Sequence, residues 1–190
     1  MRTLIQSATL CAFLVFTCWT QTVHSQSTAN PRVLIKTSHG DITLELYPQK
    51  TPVTVKNFIS YVKSGHYNGT IFHRVINHFM IQGGGFTNEL VKKPTRAPIV
   101  LETQKGLSNL RGTVAMARTS DRNSATAQFF INVQNNNQLD SYGGGYAVFG
   151  KVIRGMKVVD RIKAVPTTRK NGHGNVPINP VMIKSVRLLP

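Results

Sequence analysis

Cysteine is nearly missing from this chain. Its two copies, Cys11 and Cys18, and its single tryptophan, Trp19, all fall in the first 25 residues. The rest therefore holds no thiol for a disulfide framework or a thiolate metal site. Acids are scarce as well: seven Asp and Glu stand against 23 Lys and Arg, for a formal charge of +16. Asp41 and Glu45 are the only close acidic pair, and they read as a solvated strand face. No apolar run reaches the ~20 residues a bilayer-spanning helix needs.

The longest such run, residues 10–19, follows a charge at Arg2 and precedes Val23-His24-Ser25. This is the pattern of a cleavable export signal, with cleavage after Ser25. Val15-Phe16-Thr17 lacks the small residues expected before a lipidated Cys18. We therefore expect residues 1–25 to be a secretory leader and 26–190 a single exported domain, long enough to bury about two thirds of its chain surface. Only Arg2 leaves with the leader, so the domain stays strongly basic. Such a field favours encounter with polyanions such as lipid head groups, lipopolysaccharide or nucleic acid. The charges are scattered apart from a loose cluster at Lys92, Lys93 and Arg96, without an aromatic-basic RNA-binding module, and read as a solvated surface.

Residues 32–46 predict two strands turning near His39-Gly40, because Val33-Ile35 and Ile42-Leu44-Leu46 recur at period two. A helix follows, with Thr51 as cap, Pro52 in the first turn, Val55, Phe58, Ile59 and Val62 on one face, and Gly65 at the end. Short β-like runs cover 71–75, 80–82, 113–117, 129–133 and 147–152. A second helix spans 155–165 and a last strand 181–189. Many short strands with two helices predict one domain built on a closed or nearly closed sheet.

Residues 72–86 carry the most chemistry. They set one fixed cation, Arg74, among apolar residues, with the amide of Gln82 and three glycines close behind. That pattern suits polarisation in a shaped pocket rather than covalent attack. Other motifs fall away. No pair among the six histidines has helical ligand spacing beside a carboxylate, and His73 and His78 are an odd number apart on β-like sequence, so no metal site is expected. Ser60-Tyr61-Val62-Lys63 lacks the Ser-Asp-Asn and Lys-Thr-Gly partners of a Ser-x-x-Lys enzyme. The triplets Gly83–Gly85 and Gly143–Gly145 do not lead into phosphate-binding helices. Asn68-Gly69-Thr70 would be a glycosylation acceptor only in a eukaryotic secretory route.

At Phe72-His73-Arg74-Val75-Ile76, Phe79-Met80-Ile81-Gln82-Gly83-Gly84, Met116-Ala117-Arg118, Gln128-Phe129-Phe130-Ile131 and Val148-Phe149-Gly150-Lys151-Val152, the chain resembles the cyclophilins, in order and over residues 32–190. It is similar above all to their bacterial periplasmic members. The resemblance implies a mainly β fold, a closed eight-stranded antiparallel β-barrel capped by two α-helices. It implies peptidyl-prolyl cis-trans isomerase (rotamase) activity without a cofactor, and proline-containing unfolded segments as substrate. It assigns Arg74 and Gln82 as catalytic residues. Phe79, Met80, Phe130 and Leu139 become the wall of a proline pocket, and Ala117, Arg118, Gln128 and Tyr146 complete the peptide groove. It also implies a monomer in the periplasm, with secretion as the alternative. Two positions depart from the family: Gln138 stands where many members have an aromatic, often tryptophan, and Tyr146 where many eukaryotic members have histidine. Loss of the flat wall at 138 implies weak cyclosporin binding. Three functions remain open at this point: an exported isomerase for folding proteins, a chaperone or binding module using the same groove without turnover, and a polyanion-binding surface protein.

Overall fold

The computed structural model describes residues 29–103 and 106–190. The expected leader lies outside the described residues. Strand β1 (Arg32–Thr37) pairs with β2 (Gly40–Leu46), setting Val33 opposite Leu44 and Ile35 opposite Ile42. All four are fully buried. Their alternation with Arg32, Lys36 and Asp41, all exposed, is what fixes this register, because a one-residue slip would turn every apolar side chain to water.

Helix α1 (Pro52–Lys63) buries Val55, Phe58, Tyr61 and Val62. The ring of Phe58 lies 5.2 Å from Tyr67, 5.5 Å from Phe129 and 5.0 Å from Phe149, so one aromatic pins helix to sheet. Truncating such a residue to alanine costs about 3–5 kcal/mol. The helix start departs from the sequence reading. Thr51 makes no cap; its hydroxyl donates back to the Tyr47 carbonyl. The free N–H groups of Val53 and Thr54 instead donate to the carboxylate of Glu102, at 3.1 and 2.7 Å. A distant anion thus satisfies the positive end of the helix.

The strands β3 (Thr70–Ile71), β4 (Arg74–Ile76), β5 (Met80–Gly83), β6 (Thr113–Met116), β7 (Phe129–Asn132), β8 (Val148–Arg154) and β11 (Met182–Leu188) join the first two. Together they make one nine-stranded antiparallel sheet in the order β3-β11-β1-β2-β8-β6-β7-β5-β4. Helix α2 (Met156–Lys163) buries Val158, Val159 and Ile162 against it. A separate hairpin, β9 (Thr167–Lys170) with β10 (His173–Pro177), lies outside the sheet.

The sheet is mainly β with two helices, as expected, but it is not a closed eight-stranded barrel. It is a curled nine-stranded sheet whose two edge strands, β3 and β4, are joined by the two residues Phe72 and His73 and by no ladder. The apparent single run at 71–75 breaks there because the Phe72 N–H donates to the Val181 carbonyl, on the β11 side, while Arg74 turns to pair with β5.

Candidate active site

The sheet has a core face and an outer face, and the site is built on the outer one. Arg74 on β4 lies directly opposite Gln82 on β5, and Gln82 opposite Phe130 on β7. Opposed residues share a face and successive residues alternate. So Arg74, Ile76, Met80, Gln82 and Phe130 project outward, whereas Val75, Ile81 and Ile131 fill the core, at most 2% exposed. On β6, Ala115 stands opposite Phe130 and brings Ala117 to the same side.

This outer face forms a pocket of about 90 Å³, far below the ~300–1,000 Å³ of sites for whole small molecules, and so the size for one side chain. Phe79, Met80, Phe130 and Leu139 supply its apolar wall, with Ala117 and Tyr146 beside them and Arg74, Gln82 and Arg118 at its polar margin. Nine of the ten residues singled out in the sequence therefore line one cavity. The tenth, Gln128, borders the two adjoining clefts. Its side-chain carbonyl accepts from the Gln82 amide at 2.9 Å, and Gln82 in turn accepts from an Arg74 Nη at 3.3 Å. Gly85 leaves the space for this relay, since a Cβ there would lie 2.5 Å from the Gln128 side chain.

Arg74 is half-buried, and no ion pair among the described residues includes it. Burial draws its pKa down from the usual arginine value, a shift that leaves a guanidinium charged at neutral pH. Behind it His73 is 5% exposed, with its ring 4.6 Å from Phe86 and its Nδ1 without a partner. Burial, with the nearby His173 and Arg74, lowers its pKa to about 4. His73 is therefore neutral, and His78 is exposed on the turn between β4 and β5. Among the described residues no three His, Cys, Asp or Glu gather in a metal-holding group.

Arg118 behaves differently from a free groove donor. Its guanidinium donates to the carbonyls of Thr119, Tyr142, Gly143 and Gly145, and lies 4.4 Å from the centre of the Tyr146 ring. It thereby holds the Gly143–Gly145 loop and sets Tyr146 edge-on to Phe130 at 5.7 Å. Ser60, of the Ser-x-x-Lys pattern, donates to the Asn57 carbonyl as an ordinary helix residue.

A buried amide network supports the pocket from below and was missed in the sequence. Asn136 donates to the Phe79 carbonyl at 2.8 Å and to Asn132 at 2.7 Å; Asn132 donates to Asn109, and Asn109 to the Asp140 carboxylate. All three asparagines are fully buried. Ser108 also donates to Asp140, and these donors hold that carboxyl below its usual range against the opposing effect of burial. The network fixes both Phe79 and the 3-10 turn Asn137–Asp140 that carries Leu139. The Asn-rich run at 132–137 was its only sequence signal.

Residues 32–188 match the family described as cyclophilin type peptidyl-prolyl cis-trans isomerase/CLD. The chain is 56% identical over 168 residues to a peptidyl-prolyl cis-trans isomerase of Acinetobacter baylyi, covering 87% of this chain and 89% of that one. It is 53% identical over 159 residues to peptidyl-prolyl cis-trans isomerase B of Escherichia coli, covering 81% and 97%. Among solved structures it is similar to a Cryptosporidium parvum cyclophilin type peptidyl-prolyl cis-trans isomerase in the presence of the dipeptide Ala-Pro. The TM-score is 0.71 at 30% identity, over 84% of this chain and 99% of that one.

Proposed function

The chain belongs to the cyclophilin-type peptidyl-prolyl cis-trans isomerase family, and we propose that it is exported and that its Arg74 stabilises the twisted peptide bond. An Xaa-Pro bond rotates over a barrier of about 18–20 kcal/mol because twisting destroys amide resonance. In the twisted state the prolyl nitrogen regains its lone pair and becomes a hydrogen-bond acceptor, which it is not in the planar ground state. A donor aimed there binds the transition state selectively.

Arg74 is the observation that carries this reading. It is a half-buried cation without a carboxylate partner among the described residues, steadied by Gln82 at the margin of an apolar pocket of about 90 Å³. The proline ring enters between Phe79, Met80, Phe130 and Leu139. Ala117 and Gln128 hold the flanking backbone, and Arg118 acts mainly by holding Tyr146 in place. Each ~1.4 kcal/mol of such differential binding is tenfold in rate. Substrates are proline-containing segments of unfolded or exposed chain, a reading supported by the Ala-Pro dipeptide of the Cryptosporidium relative.

Export to the periplasm rests on residues 1–25 as a leader; a mature protein recovered with Met1 intact would refute it. A monomer suffices for this reading, since one chain supplies every residue that lines the pocket. Gln138, exposed on the turn before Leu139, leaves cyclosporin binding weak. The catalytic reading is tested by refolding of a client whose slow phase is proline-limited. The protein shortens that phase and Arg74→Ala does not; a slow phase unchanged by either would count against the proposal.

A further inference from the structure

Next to the proline pocket lies a cleft of about 510 Å³ that shares Arg74, Gln82 and Arg118 with it and continues to His173, Gly174 and Asn175 of the β9–β10 hairpin. The hairpin is a built wall. Asn171 and Gly172 turn it with φ of 49° and 79°, the two positive values a tight two-residue hairpin turn demands. Beyond the turn, His173 pairs with Lys170 and Val176 with Thr168, so Gly174 and Asn175 together oppose Arg169 alone. That is a β-bulge, a device that re-aims a strand. Val176, 3% exposed, anchors the bulge in a cluster with Ile71, Phe86 and Leu90. The His173 ring lies 5.0 Å from Phe86, itself packed on His73 just before Arg74.

The electrostatics of this cleft are one-sided. No Asp or Glu lines it or the proline pocket. Asp160 pairs with Arg111 and Lys163, and Glu45 with Lys151; Glu102 sits on the α1 terminus and Asp140 in the amide network, Asp121 accepts from the Asn123 N–H of its own loop, and Asp41 is exposed on β2. Glu89 is exposed and lies outside the cleft lining. Arg118 donates only to carbonyls, which orient its guanidinium without neutralising it. Arg118 is in no ion pair among the described residues, so a carboxylate arriving with the substrate finds its charge unpaired while Arg74 stays aimed at the proline.

Resting on the isomerase reading above, we infer that this cleft is an anionic subsite. It takes an acidic side chain of the substrate a few residues from the proline, and so selects Xaa-Pro segments flanked by Asp or Glu. The test is cis-trans exchange by NMR on matched peptides carrying Glu, Gln or Lys at each of several positions on either side of Xaa-Pro. One or two positions should favour Glu over Lys in kcat/KM by about three- to tenfold at low salt, shrinking as salt rises, as expected for a charge pair near a protein surface. Gly174→Asp sets a carboxylate on the cleft wall where an added Cβ meets nothing within 4 Å, and should abolish the preference that Gly174→Ala retains.

Equal handling of Glu and Lys at every position would overturn the inference while leaving the isomerase intact. So would a preference spread evenly over all positions, or one that survives Gly174→Asp, since either would assign it to the overall positive charge. Exchange at the spontaneous rate for every peptide would instead remove the isomerase reading, and this inference with it.

Discussion

Arg74 and Gln82 face each other across the β4–β5 ladder, and an Nη of the arginine donates to the glutamine side-chain carbonyl at 3.3 Å. The amide end of Gln82 is held in turn by Gln128 at 2.9 Å. The cation is thus aimed by a neutral relay, which steadies its donors without cancelling the charge that a carboxylate would cancel.

Replacing Gln82 with leucine removes the relay and leaves the pocket walls in place. Loss of a hydrogen bond to a charged group, about 1.5–3 kcal/mol, predicts a fall in kcat/KM of about ten- to a hundredfold, carried mostly by kcat, if Gln82 positions Arg74. A change confined to KM would assign Gln82 to substrate binding alone.

Turnover should vary little between about pH 6 and 9, because Arg74 stays protonated and no general acid or base takes part. A bell-shaped profile would contradict this. Stability should behave otherwise. His73 has its folded pKa lowered to about 4, so between that value and the unfolded value near 6.5 the unfolded state binds the extra proton. The contribution is complete above about pH 6.5 and is lost as pH falls towards 4, amounting to roughly 3 kcal/mol. His66, also lowered by burial, acts in the same direction. Urea midpoints measured across this range should drop in acid, with a shallower drop in His73→Leu.

Glu102→Ala should leave exchange rates alone and destabilise the fold by about 1–2 kcal/mol, the range of a lost helix cap. A thermal midpoint equal to the parent protein would show that water replaces the carboxylate at the Val53 and Thr54 amides.

Asn136→Ala should be more costly, because it strands the buried Oδ1 of Asn132 and takes one of two donors from the Phe79 carbonyl, which keeps only the Val133 N–H. Leaving a buried polar group unpaired costs about 1–3 kcal/mol. Since the freed segments carry Phe79 and Leu139, KM should rise along with the loss of stability. A stability loss with unchanged KM would uncouple the network from the pocket.

Local pattern made much of this fold readable. Val33, Ile35, Ile42 and Leu44 alternate with charged residues, and Val55, Phe58 and Val62 repeat at helical spacing, so those elements follow from sequence alone. The break between β3 and β4 was not readable, because Ile71 to Val75 is an unbroken β-like run and the partner that interrupts it, Val181, is distant in the chain. Both strands of the outer hairpin were missed because β9 is exposed at every position and offers no apolar alternation; only Asn171-Gly172 marked the turn. The pocket residues were legible through motif resemblance, and the structure brings nine of them around one cavity. Their support was not: Asn136 reaches Phe79 across 57 positions, and Arg118 is committed to loop carbonyls that no local rule connects to it.

Exchange of an Xaa-Pro peptide by NMR, with the purified protein and with Arg74→Ala shown to be folded, tests the central claim most directly. The account predicts rapid exchange with the first and, with the second, a loss of at least about a hundredfold in rate, equivalent to ~2.7 kcal/mol of transition-state stabilisation, while the peptide still binds. Comparable acceleration by both proteins would contradict it, since the apolar pocket and its groove would then suffice without the cation.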